Sequence, residues 1–203
     1  MAYWHISGWM KHLYKDVVWD CSGNGKTLYL TFDDGPTPDV TDEVLGVLKT
    51  YQAKATFFCL GRNAERHPDI LARIIKAGHT VGNHTYSHLR GWKQENKAYI
   101  SDVELASVYI KSPLFRPPYG QIKRSQIQQL KHNYKIVLWD VMSHDYENRI
   151  SKEKSLKYVT KYAKEGSIVV FHDSVKAWGK LKYILPTFLD LYSSKGYNFN
   201  SLI

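Results

Sequence analysis

What most constrains this chain is a rhythm that begins at Lys26, where short apolar runs start to alternate with longer amphipathic stretches. Candidate strands are Thr27–Phe32, Ala55–Leu60, His79–Gly82, Leu114–Arg116, Ile136–Val141, Ser167–Phe171 and a last one near Tyr197–Leu202. Between them, Val40, Val44, Leu45 and Leu48, and then Ile70, Leu71, Ile74 and Ile75, recur at helical spacing. Helical patterns continue over 94–111, 123–132, 151–164 and 179–194. Gly78, Gly166 and Gly196 each follow one of these stretches, where a C-terminal cap takes a left-handed residue.

Strands alternating with helices imply a parallel sheet joined by crossovers. So many units in one 203-residue chain suit an α/β fold of the distorted (β/α)7–8, TIM-like barrel kind. A Rossmann sheet would carry a glycine-rich phosphate-binding fingerprint after its first strand, and none is present. Residues 1–25 read as a poorly patterned arm packed on the domain, and 26–203 as one catalytic domain without repeat or linker.

Polar residues collect at the C-terminal ends of the candidate strands: Asp33 and Asp34, His84 and His88, Arg116, Asp140 to Asp145, and His172 with Asp173. In a β/α barrel those ends converge on one face, where active sites are built. His84 and His88 stand at i and i+4, so on a helical turn they project to one side and can share a metal. Alone that spacing describes ordinary surface histidines; a third hard ligand from Asp33-Asp34 makes a His₂Asp set with positions left for water and substrate. Asp-Gly-Pro also favours chain reversal, and the two readings are compatible because a turn fixes the carboxylates. His172-Asp173-Ser174 is no catalytic triad, since contiguous residues on a strand end cannot adopt triad geometry.

Composition narrows the partners. The formal charge of +9 comes from 28 Lys and Arg against 19 Asp and Glu. The basic residues are spread through 121–135, 149–164 and 176–182, which describes a solvated surface and no nucleic-acid partner. Fifteen tyrosines and six tryptophans serve a core as readily as a sugar-binding surface. Cys59 lies in an apolar run and reads as a small buried hydrophobe, and a bridge to Cys21 is left open. No run approaches the ~20 apolar residues of a membrane span. His5, Gly8, Lys11, His12 and Lys15 break up residues 1–19, so no signal peptide is read there. The expectation is a cytoplasmic protein by default, or an extracytoplasmic one if a leader is missing from this chain.

Four ordered segments now make the sequence recognisable: Thr31-Phe32-Asp33-Asp34-Gly35-Pro36, His84-Thr85-Tyr86-Ser87-His88, Arg116-Pro117-Pro118-Tyr119-Gly120 and His172-Asp173. In order and spacing they resemble the polysaccharide deacetylases of the NodB-homology type, carbohydrate esterase family 4, from about Lys26 to the C-terminus. The resemblance implies a NodB-homology fold and a hydrolase that removes N-acetyl groups from N-acetylglucosamine units of a peptidoglycan- or chitin-type glycan. It implies Asp34, His84 and His88 as ligands of a divalent metal, with zinc expected and cobalt or nickel as alternatives. Asp33 matches the general base, Arg116 the arginine paired with it, His172 the general acid and Asp145 the carboxylate that tunes that acid. Tyr119 matches the residue whose N–H holds the oxyanion; with Pro118, Tyr146 and Trp178 it completes the expected substrate-binding set. Trp92, Tyr146 and Trp178 are placed in loops on the active face, and a monomer is expected.

Two departures stand out. Where the family reads Asp-x-x-Asp-Trp, this chain has Met142-Ser143-His144-Asp145-Tyr146, and the family's Leu-x-His reads Val170-Phe171-His172. Neither removes a ligand or proton carrier, but the first puts substrate preference in doubt. Other readings are an O-acetyl xylan esterase, which the same site chemistry allows, and a carbohydrate-binding pseudoenzyme, which would have lost one of the five key groups. His67, His79, His132 and His144 are expected to be structural or exposed, and Asp173 to shape the last loop.

Overall fold

The computed structural model describes residues 14–21, 23 and 25–202. Its strands are β1 (Val17–Val18), β2 (Thr27–Asp33), β3 (Thr56–Cys59), β4 (Thr80–Asn83), β5 (Leu114–Phe115), β6 (Lys135–Val137), β7 (Val141–Met142), β8 (Ile168–His172) and β9 (Asn198–Asn200). Its helices are α1 (Val40–Thr50), α2 (Gly61–Arg66), α3 (Pro68–Lys76), α4 (Asn96–Tyr109), α5 (Arg124–Leu130), α6 (Lys152–Tyr162) and α7 (Val175–Ser194). Every strand pairing is parallel, in the order β1-β6-β5-β4-β3-β2-β8-β7, with β9 also on β2. This is the expected curled α/β barrel. Gly78 and Gly196 are left-handed just past the ends of α3 and α7, as expected, with φ of 78° and 76°; Gly166, at φ of 77°, lies instead in a turn four residues beyond α6, whose own cap at Ala163 is extended.

Alternation along the strands sorts the core into layers. On β2, Leu28, Leu30 and Phe32 face outward into the cluster that α1 and α7 cover. Tyr29 faces inward with Phe58, Leu114, Val137 and Ile168. Because side chains of a strand alternate, Thr31 and Asp33 share the inward face of Tyr29, and His172 shares that of Ile168 and Val170. Register then sets their level: Asp33 lies opposite Phe58 on one side and His172 on the other.

Several expectations needed correction. The run Ile136–Val141 is two strands, not one: Leu114 and Phe115 take its first half, and Val169 and Val170 its second. The chain bends at 138–140 because the two halves bond to opposite neighbours and so bridge the barrel. The stretch 84–88 is a loop rather than a helical turn, with Thr85 and His88 at φ of 63° and 62°. Helix α7 begins at Val175, so Trp178 sits in its first turn and not in a loop. Helix α2 was not expected. Of the arm expected over 1–25, residues 1–13, 22 and 24 lie outside the described residues, while Val17 and Val18 pair with Ile136 and Val137. Cys21 and Cys59 are both free thiols. Among the described residues no helix is long and apolar enough to cross a membrane.

Candidate active site

Asp33 ends β2 facing inward, and its carboxylate meets Arg116 just beyond β5. The guanidinium Nη1 donates to Asp33 Oδ1 at 2.8 Å and to the Thr31 hydroxyl at 2.7 Å, while Nη2 donates to the Leu138 carbonyl at 2.9 Å. Arg116 is fully buried, with its guanidinium over the Phe58 ring at 4.1 Å. A charge taken this far from water needs each of these partners; burial lowers its pKa, and Asp33 opposes that.

Asp34 adopts φ of 82°, which turns its carboxylate away from that of Asp33. Its Oδ1 lies 3.2 Å from His88 Nε2 and 3.8 Å from His84 Nε2. His84 Nδ1 donates to the Arg116 carbonyl at 2.7 Å, which fixes the ring and leaves the Nε2 lone pair facing Asp34. Burial holds His84 down to about 4, against the pull of Asp33 and Asp34, so the imidazole is neutral and ready to ligate. Burial would raise Asp34, but His88, His172 and His84 outweigh it and hold the carboxyl well below the usual range.

The ligand atoms of Asp34, His84 and His88 all lie within 4.8 Å of one another, the one such cluster among the described residues. Asp34 Oδ1 is buried yet accepts no well-formed hydrogen bond. An orphaned carboxylate oxygen with imidazole nitrogens at 3.2 and 3.8 Å is what a divalent cation satisfies, so these residues fit the group.

Across the site, Asp145 grips His172 twice. Its Oδ1 is 2.7 Å from the ring Nδ1, and its Oδ2 accepts the His172 backbone N–H at 2.9 Å. Burial pulls His172 down, but Asp145, and then Asp34 and Asp33, outweigh it and carry the imidazole up to about 9. The Tyr146 ring stands edge-on to His172 at 4.7 Å, and its hydroxyl reaches Met142 Sδ at 3.7 Å. The two departures of the fourth motif therefore touch each other. Opposite, the Tyr119 ring lies 4.6 Å from His88. Tyr119 has φ of 59° in the short turn Pro118–Gly120, in which the Gly120 and Gln121 N–H groups fold back onto Pro117 and Pro118. Trp178 is half-buried and packs against the outer core.

Among the described residues, five of the seven non-glycine residues with positive φ are Asp34, Thr85, His88, Tyr119 and His144. Backbone in that region costs on the order of 1–3 kcal/mol per residue and persists only where its surroundings hold it. Those surroundings include Asp102 and Asn83, to which the sequence assigned no role in the site, and Asp173, expected only to shape the last loop. Asp102 Oδ2 on α4 accepts the N–H groups of Tyr86 and Ser87, each at 3.0 Å. Asn83 Oδ1 accepts that of Thr85 at 2.8 Å. Asp173 accepts the Gly35 N–H at 3.1 Å and the Thr41 hydroxyl at 2.6 Å, so it braces the turn carrying both aspartates. A Cβ on Gly35 would stand 2.0 Å from that carboxylate, so only glycine fits. His79, expected to be structural or exposed, is structural: it is buried and accepts the Ala55 N–H at 3.2 Å.

Residues 21–137 match the polysaccharide deacetylase family. A peptidoglycan-N-acetylglucosamine deacetylase of Bacillus cereus is 34% identical over 191 residues, covering 90% of this chain and 89% of that protein. The peptidoglycan-N-acetylmuramic acid deacetylase PdaC of Bacillus subtilis is 38% identical over 157 residues, 74% of this chain but 33% of PdaC. Among solved structures, the Bc1960 peptidoglycan N-acetylglucosamine deacetylase superposes with a TM-score of 0.79 at 31% identity, covering 95% of this chain and 94% of that one. With the motifs in order on a matching fold, this chain belongs to the polysaccharide deacetylase family.

Proposed function

We propose that the chain hydrolyses N-acetyl groups of N-acetylglucosamine units in a peptidoglycan-type glycan, with zinc held by Asp34, His84 and His88. The observation that carries this reading is the pair of buried dyads, Asp33–Arg116 and Asp145–His172, on either side of that ligand set. The relatives named for peptidoglycan support the substrate, and the ligand types support zinc, with cobalt or nickel able to serve. Every group comes from one chain, so one copy suffices.

When bound, the ion supplies Lewis acidity toward the acetyl oxygen and lowers the pKa of water. Arg116 orients the Asp33 carboxylate, and Asp33 takes a proton from the attacking water. The Tyr119 N–H donates to the oxygen on which negative charge develops. His172, protonated through Asp145, gives its proton to the departing nitrogen, and acetate leaves without an acyl-enzyme. Pro118 and Tyr146 line the site.

The His172 pair sets a pH limb. Its folded pKa of about 9 lies above the ordinary 6.5, so the stability it contributes is complete below about 6.5 and is lost as pH rises through about 9. Turnover falls over the same rise, at a lower pH once a dication neighbours Asp34. Asp145→Asn should move the alkaline limb of kcat down by about one unit or more. Matching pH–rate profiles of the two proteins would rule out His172 as the titrating acid.

Acetate release from an N-acetylglucosamine oligomer and from acetylated xylan tests the substrate assignment. Release from the oligomer is expected. Release from the xylan ester alone would replace the amidase reading with an esterase.

A further inference from the structure

We propose that Arg90 and Lys176 select glycans carrying a carboxylate on the sugars flanking the unit that is deacetylated. This rests on the deacetylase reading and specifies the substrate class of the same site. Two aromatic side chains form its walls: Tyr119, 48% exposed and beside His88, and Tyr146, beside His172. Each carries a cation on its ring. The Arg90 guanidinium lies 3.8 Å from the Tyr119 centroid, and the Lys176 ammonium 5.5 Å from that of Tyr146. Lys152, Lys161 and Lys195 also sit over tyrosine rings, but the rings of Tyr119 and Tyr146 are the ones that touch a site imidazole.

Strand order puts the two cations on opposite flanks. Tyr119 follows β5, three strands to one side of β2, and Tyr146 follows β7, two strands to the other. The aspartates at the end of β2 thus lie between them. Arg90 and Lys176 are exposed, and neither joins an ion pair among the described residues, whereas Arg73 is held by Asp42 and Asp69, and Arg116 by Asp33. A guanidinium stacked by its face keeps its N–H edge free, and that edge matches a carboxylate in a bidentate bond. Inside the site the cations are already engaged, Arg116 by Asp33 and His172 by Asp145, so the donors left for a carboxylate are the two at the rim. The geometry therefore places the carboxylate on neighbouring sugars and not on the one that reacts.

The test uses the zinc-loaded chain with two forms of one N-acetylated β-1,4-linked tetrasaccharide. One carries lactyl carboxylates on alternate sugars, and in the other those groups are carboxamides. The acid form should be preferred by roughly tenfold in kcat/KM, mainly through KM, and high salt should erode the preference. Arg90→Gln and Lys176→Gln should each lower the acid-to-amide ratio by about threefold, and the double variant should bring it near one. Equal use of both forms by the unaltered chain overturns the inference while leaving the deacetylase reading in place. A ratio unchanged in a double variant that melts normally also overturns it. No acetate from either form would overturn both.

Discussion

Asp33→Asn should lower kcat for acetate release by about 10²–10⁴-fold while the chain still binds its divalent ion. Asparagine keeps an oxygen where Arg116 Nη1 now donates at 2.8 Å, so the fold should survive at a cost no greater than the roughly 3–5 kcal/mol of breaking a buried pair from one side. It cannot take a proton. Asp34, His84 and His88 are untouched, and metal content by elemental analysis should stay at the level of the unaltered chain. The combination is diagnostic because loss of metal would explain lost turnover without any base. Turnover near the original rate would place the base elsewhere.

Arg116→Met should be nearly as damaging by a different route. The substitution strips the guanidinium from the Asp33 carboxylate, the Thr31 hydroxyl and the Leu138 carbonyl at once. It leaves Asp33, 3% exposed, as an uncompensated buried charge. Breaking a buried pair from one side costs about 3–5 kcal/mol, or a melting temperature lowered by roughly 6–20 °C in a chain this long. Without the guanidinium the carboxylate also loses the contact that aims it, and a misplaced base turns over slowly. Lysine should restore little, because one ammonium cannot reproduce a planar fork that reaches three acceptors. Thermal melts and kcat for acetate release check both parts; a melting temperature within a degree of the original would show that the pair holds nothing together.

Much of this was legible in the chain before any coordinates. The sequence put Asp33 and Asp34 at the end of the strand Thr27–Phe32, and strand ends of a parallel barrel converge whatever the intervening sequence. Four ordered motifs then pointed to the groups proposed for the site. What the sequence did not disclose depends on contacts remote in the chain. His84 and His88 meet because Thr85 and His88 take left-handed backbone held by Asn83, Asp102 and the Thr85 hydroxyl, which no helical spacing signals. Asp173 braces a turn 138 residues earlier, a role invisible to local pattern. A two-residue strand such as Val17–Val18 has no period to detect, and the bend that divides residues 135–142 follows from neighbours on opposite sides.

Stripping the chain of divalent ions and measuring acetate release from an N-acetylglucosamine oligomer, before and after adding zinc back, tests the Asp34-His84-His88 assignment most directly. Release should fall to background in the stripped chain and return in proportion to zinc bound, saturating at one ion per chain, with no return in His84→Ala. Full turnover by the stripped chain, or zinc-restored turnover in His84→Ala, would contradict it.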